Sequence, residues 1–326
     1  MQLMPYNHSK LSKLHQLLNI LSVLIFCGIL LIKFMPEMKA ESLAAGLGSS
    51  KTTSAQKPTA QDSKPSQSSR QPKNAEPLSE KAFSSELEHT GQSLTGNFNL
   101  AIYDVSMRQT YTYQKNTQSV CYTASTIKLS VLTELLLSRN SDGRNFDANL
   151  TNNIQAMMRN SSNDATSAII FESLSNEADP IQKLFSKLGM NASVSGLETD
   201  GWGLSTTSPQ DQLILLKNIF LPSKILTSAQ QAYIKNEMQN VEPEQQWGIS
   251  QFAAEADVKT LAVKNGWGIL DDNNLIVDNS IGSVTLQDGR QYLIASYGSG
   301  FHSDEDGIAA QEALITAAGL ILTEQT

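Results

Sequence analysis

Cysteine, histidine and basic charge are what this 326-residue chain has little of. Its two cysteines are Cys27, inside an apolar run, and Cys121. A disulfide framework and a cysteine-rich zinc site are therefore excluded, and no metal site is expected. The four histidines are His8, His15, His89 and His302, all in polar or terminal sequence, so a serine–histidine–aspartate triad has little to draw on. Basic charge is also short where it would matter. Setting aside the nine basic and five acidic residues of 1–80 leaves 15 basic and 27 acidic residues, a net of −12. A surface of that sign opposes a phosphate backbone, which excludes nucleic acid as a partner.

The apolar residues fall in two kinds of segment. Leu17 to Ile32 carry no charge and follow Lys10 and Lys13. Extended by Phe34 and Met35, they approach the roughly 20 residues that span a bilayer and exceed an ordinary signal-peptide core. Residues 1–40 thus read as a cytoplasmic tail with an uncleaved membrane anchor, the alternative being signal cleavage and secretion. Residues 41–77 are rich in Ser, Thr, Gln, Lys and Pro and have no aromatic residue. They cannot bury enough apolar surface to offset chain entropy and read as a disordered spacer. The remaining apolar content lies in 78–326, which is expected to be the folded domain, monomeric and outward-facing.

Within that domain the pattern predicts a helix over Phe83 and Leu87 ending at Gly91, then strands over Asn97–Val105 and Thr110–Tyr113. Helices follow, starting with one that carries Ile127, Val131, Leu132, Leu135 and Leu136. Ser208-Pro209 opens another, and Thr227 or Ser228 caps one more. Strands return at Thr260–Lys264, Ser280–Leu286 and Gln291–Tyr297, with Asp288-Gly289 turning the last hairpin. Ile308 to Leu322 form a closing helix. Strands at both chain ends around a helical middle imply an α+β fold, with an antiparallel sheet built from both ends, flanking helices and a helical insertion.

Ser125 stands at the start of the Ile127 helix, three residues before Lys128. That spacing lets an amine approach the hydroxyl, and unpaired backbone N–H groups of a first turn favour developing negative charge. An activated serine nucleophile needs both. Ser54 and Lys57 have the same spacing inside the spacer, so spacing alone decides nothing. Two further motifs do: Asn160-Ser161-Ser162-Asn163-Asp164 joins two helical segments, and Lys264-Asn265-Gly266 ends a strand. In isolation the first would read as a helix N-cap and the second as an edge lysine and a turn.

Taken together, in this order, the three resemble the S-x-x-K, S-D-N and K-T-G signature of the penicillin-recognising serine hydrolases, the class A β-lactamases and DD-peptidases. The resemblance covers essentially all of 78–326. It implies Ser125 as nucleophile, Lys128 as the group that takes its proton, and Ser161 as proton relay to the leaving nitrogen. It implies Asn163, Lys264, Asn265, Gly266 and Trp267 as substrate-binding positions, the backbone N–H groups of Ser125 and Trp267 forming an oxyanion hole. No cofactor is implied. The substrate would be a β-lactam or a peptidoglycan stem peptide, hydrolysed through an acyl-serine. The alternatives are a D-Ala-D-Ala carboxypeptidase-like enzyme with little β-lactamase turnover, and a non-catalytic wall-binding or sensor domain.

The chain departs from the pattern at Ser162, Asn265 and Trp267. It also departs in the stretch Val194 to Leu204, which is short and lacks the usual E-x-x-L-N. Glu198 and Asp200 are the local carboxylates there, and Glu198 is the candidate base for deacylation.

Overall fold

The computed structural model describes residues 78–116, 121–198, 201–270 and 275–324. The anchor and spacer readings of 1–77, and Asp200, lie outside the described residues. Among the described residues no helix is long and apolar enough to cross a membrane.

A five-stranded antiparallel sheet organises the rest. Its strands are β1 (Asn97–Asp104) and β2 (Gln109–Lys115) from the front of the domain, then β5 (Val258–Ile269), β6 (Ile276–Leu286) and β7 (Gln291–Ser299) from the back. They lie in the order β2-β1-β7-β6-β5. Chain ends meet at the pairing of β1 with β7, where Ala101 faces Ala295. A two-stranded ribbon, β3 (Cys121–Tyr122) with β4 (Thr206–Thr207), sits apart. The α+β expectation holds.

Alternate residues of β7 feed two cores, as a strand buried on both faces requires. Leu293, Ala295 and Tyr297 enter the core shared with the helical insertion, and Tyr292 and Ile294 enter the one beneath the terminal helices. The terminal pair is α1 (Glu80–Ser93) and α8 (Asp304–Thr323). The insertion holds α2 (Ile127–Ser138), α3 (Ala148–Arg159), α4 (Asn163–Ala168), α5 (Pro180–Leu188), α6 (Pro209–Phe220) and α7 (Ser228–Gln239).

Caps follow the sequence closely. Ser208 accepts from the Asp211 N–H ahead of Pro209, and Thr227 forms a capping box with Gln230. Gly289, at φ +92°, turns the β6–β7 hairpin.

Two boundaries expected at glycines are not there, and β6 and the closing helix each begin four residues earlier than expected, at Ile276 and Asp304. Gly91 does not stop the first helix, which runs on to Ser93. It is a close-approach glycine: a Cβ there would lie 1.9 Å from the Tyr113 hydroxyl oxygen. Lys264-Asn265-Gly266 does not end a strand either. β5 continues to Ile269 because β6 pairs with it along the whole length, Gly266 against Asn279 and Ile269 against Ile276.

Candidate active site

The site forms where the first turn of the α2 segment meets β5, the edge strand of the sheet. Thr123 leads in from β3, its N–H donating to the Ser205 carbonyl at 2.8 Å. Ala124 then adopts φ +44°, a strained conformation for a residue with a Cβ. Residues Ala124–Thr126 form a single tight 3₁₀ turn, and α2 proper begins at Ile127. The strain is held from the sheet. The Asn279 amide donates to the carbonyls of Tyr122 at 2.9 Å and Thr123 at 3.4 Å. The Thr126 hydroxyl donates to Thr123 O at 2.7 Å and meets the Tyr297 hydroxyl at 3.0 Å. Ser125, half-buried, is thereby presented on a fixed turn.

Lys128 is fully buried, one turn on. Its ammonium Nζ lies 2.8 Å from Ser125 Oγ, 2.8 Å from Asn163 Oδ1, 2.6 Å from the Ser161 carbonyl and 3.1 Å from Ser161 Oγ. Burial pushes its pKa down from 10.5 to about 7, because an ammonium loses its hydration there. Near neutral pH much of the population is a free amine, whose lone pair can accept the Ser125 proton.

Ser161 and Ser162 divide two tasks between them. Ser162 is the N-cap of α4, accepting from the Ala165 N–H at 3.2 Å. Ser161, at φ +57°, is left outside the helix and aims its hydroxyl at the lysines. The cap reading and the functional reading of this motif are thus both realised, on adjacent residues. On the other side Lys264, also buried, donates to Ser161 Oγ at 3.0 Å and to the Asn265 carbonyl at 2.9 Å. Desolvation first, and then the charge of Lys128, hold Lys264 well below its ordinary pKa. One hydroxyl therefore bridges two amines, an arrangement suited to passing a proton.

Strand alternation sorts the third motif. Lys264 and Gly266 face the cleft. Gly266 approaches so closely that a Cβ would lie 2.6 Å from the backbone nitrogens of Ser125 and Thr126. Asn265 and Trp267 face the other way. The Asn265 amide donates to the carbonyls of Gln245 at 2.9 Å and Trp247 at 3.1 Å, and its Oδ1 is buried without a partner. The Trp267 ring packs edge-on against Trp247, centroids 6.0 Å apart. Both side chains thus serve the segment ahead of β5, leaving the backbone of Trp267 on the strand beside Gly266.

Glu198 is exposed, in the short loop after the bridge between Val194 and Thr206. It is not among the groups bonded to Lys128. Trp202, on this loop, does reach the site, its ring centroid 5.2 Å from Lys128 Nζ. Sequence reasoning overlooked Trp202, Asn279 and Tyr297. One signal was available for the first: the chain has three tryptophans, and one lies in the shortened loop.

A buried lysine on a serine at the start of a core helix, bridged by a second serine to a lysine on an antiparallel edge strand, accompanies a β-lactamase/transpeptidase-like fold. Solved structures of that fold align along nearly their whole length. A TLA-1 extended-spectrum β-lactamase matches at 16% identity with a TM-score of 0.59, covering 75% of this chain and 98% of that one. A class A β-lactamase from Mycobacterium abscessus matches at 15% identity, TM-score 0.59, covering 74% and 98%. A mutant of PBP-A in its acyl-enzyme complex with penicillin G matches at 18% identity, TM-score 0.59, covering 74% and 97%. No protein-family model matches the sequence, and no curated protein matches it.

Proposed function

We propose that this protein is a serine hydrolase that opens an amide through an acyl-Ser125 intermediate, its substrate being a β-lactam or a related cell-wall peptide. The observation that carries the reading is the 2.8 Å contact between a fully buried Lys128 amine and Ser125 Oγ. In the acylation step neutral Lys128 takes the Ser125 proton and Oγ attacks the carbonyl carbon. The developing oxyanion is held by the backbone N–H groups of Ser125 and Trp267, a contribution of about 3 to 4 kcal/mol per donor in other enzymes. As the C–N bond breaks, Ser161 gives its proton to the leaving nitrogen and is resupplied through the amines on either side. Lys264 offers its amine to a substrate carboxylate, whose negative charge would favour the protonated form that burial disfavours, and Asn163 positions Lys128 and the substrate amide.

Release of the acyl group needs a base within hydrogen-bond reach of a water. Glu198 is exposed and Trp202 covers Lys128 on the loop side, which favours slow deacylation. The carboxypeptidase-like reading, with little β-lactamase turnover, is supported by that feature. Tethering by residues 17–32 would hold the domain on the outer membrane face, near such substrates.

The test is to mix the protein with a fluorescent penicillin and a chromogenic cephalosporin. Stable labelling with little colour is the expected result. Rapid colour development would favour the β-lactamase reading. Absence of both, matching Ser125→Ala, would leave the non-catalytic wall-binding domain.

A further inference from the structure

Trp202 stands on a loop built to hold it. The Gly201 N–H donates to the Gly196 carbonyl at 2.7 Å, and the Gly196 N–H donates to Ser205 Oγ at 3.0 Å. Ser205 Oγ in turn donates to the Trp202 carbonyl at 2.8 Å, and the Ser205 carbonyl holds the N–H of Thr123, two residues before the nucleophile. At the loop's base Asp211 accepts from the Ala192 N–H at 2.8 Å and the Ser193 hydroxyl at 2.7 Å. The indole N–H reaches Ser167 Oγ on α4 at 3.3 Å, so the ring spans from the loop to the helix that carries Asn163. Loop, nucleophile turn and α4 are therefore tied together across one aromatic ring. Beneath that ring lies Lys128 Nζ.

We propose that Trp202 is a positioning residue for Lys128, its ring shutting water away from the amine so that the amine is free to take the Ser125 proton. The proposal deepens the acyl-serine reading and rests on it for its purpose.

Two opposing effects meet here. An aromatic face attracts an ammonium, which would keep Lys128 charged. The same ring displaces water from it, which would keep Lys128 neutral. The ring, its centroid 5.2 Å from Nζ, is part of the cover that buries Lys128, and burial is what lowers the pKa of that amine. Among the described residues, the groups facing Lys128 are Ser125 from its own turn, Ser161 and Asn163 from the segment opening α4, and Lys264 from β5. Asp164 and Glu198 are exposed, and neither is bonded to Lys128. Removing the ring would let water reach the amine and raise its affinity for a proton.

The experiment is a pH titration of Lys128 in the full-length protein by lysine 13Cε NMR, its signal identified by its loss in Lys128→Gln. In Trp202→Ala the midpoint is expected to rise by about one pH unit or more, a tenfold change in proton affinity. Trp202→Phe, which keeps the cover and loses the bond to Ser167, should stay near the wild-type midpoint. Trp202→Leu fills the space with less shielding and should fall between them, which preserves the test if the alanine variant folds poorly. A midpoint that does not move, or one that falls, would overturn the proposal, and loss of melting temperature with an unmoved midpoint would leave Trp202 a purely structural residue. The titration does not depend on turnover. Failure of penicillin to label Ser125 would strike the acyl-serine reading alone.

Discussion

Lys128 donates to Ser125 at 2.8 Å from a position with no solvent exposure. A side chain so placed can serve as a base only if it deprotonates near working pH, and burial brings its pKa down to about 7. The rate of Ser125 acylation should therefore rise with pH through an acid limb near 7. Below the limb the amine is protonated and cannot take the Ser125 proton. Lys128→Arg keeps charge and length but cannot deprotonate. It should lose on the order of 10²- to 10⁴-fold in acylation rate, with no recovery at high pH. Stopped-flow labelling across pH 5 to about 9 would check both.

Gly266→Ala tests the approach of strand to nucleophile turn. The new Cβ would meet backbone, at 2.6 Å from the Ser125 and Thr126 nitrogens, and backbone cannot swing aside as a side chain can. The strand must retreat, carrying the Trp267 N–H away from the oxyanion position. Acylation should drop by about 10²-fold or more. Near-native circular dichroism with lost labelling is the expected pair of results.

Asn265 acts as an anchor. Both its amide protons hold backbone carbonyls of the 243–247 segment, and both lie in the interior. In Asn265→Thr the Trp247 carbonyl keeps the Ser280 hydroxyl at 3.4 Å, but the shorter side chain should leave the Gln245 carbonyl without the donor it has now. A loss of about 1 to 3 kcal/mol in urea unfolding is expected. The side chain faces away from the cleft, so labelling of the folded variant at Ser125 should survive.

Asp278 supplies a pH signature unrelated to catalysis. Its carboxyl is fully buried with neither oxygen paired, and Asp304 lies near. Burial, followed by the charge of Asp304, raises its pKa from 3.8 to about 8. The folded state then binds more protons than the unfolded state between those two values, so stability should fall as pH rises from about 4 to 8. Asp278→Asn, which cannot ionise, should flatten that slope. Urea midpoints at several pH values, compared between the two proteins, measure it.

What could be read from the sequence was what depends on near neighbours. The Ser125–Lys128 spacing, the capping residues at Ser208 and Thr227, the Asp288-Gly289 turn and the order of strands and helices are local patterns. They set the fold class and single out the candidate site. What escaped reading depends on partners far along the chain. Gly91 looked like a helix stop because its reason for being glycine, the Tyr113 ring, lies on another element. Lys264 to Gly266 looked like a strand end because only β6 shows that the strand continues. Asn265 was assigned to substrate by its motif position, whereas the carbonyls that claim it come from 20 and 18 residues away. Asn279 and Tyr297 have no motif at all, and their role appears only once β6 and β7 lie beside the nucleophile turn.

The central claim is that Ser125 itself forms the covalent bond, and peptide mass spectrometry after incubation with a penicillin tests it most directly. The expected result is an adduct of the intact penicillin mass on the peptide containing Ser125, absent in Ser125→Ala and strongly reduced in Lys128→Arg. An unmodified Ser125 peptide, or an adduct that persists in Ser125→Ala, would contradict the account.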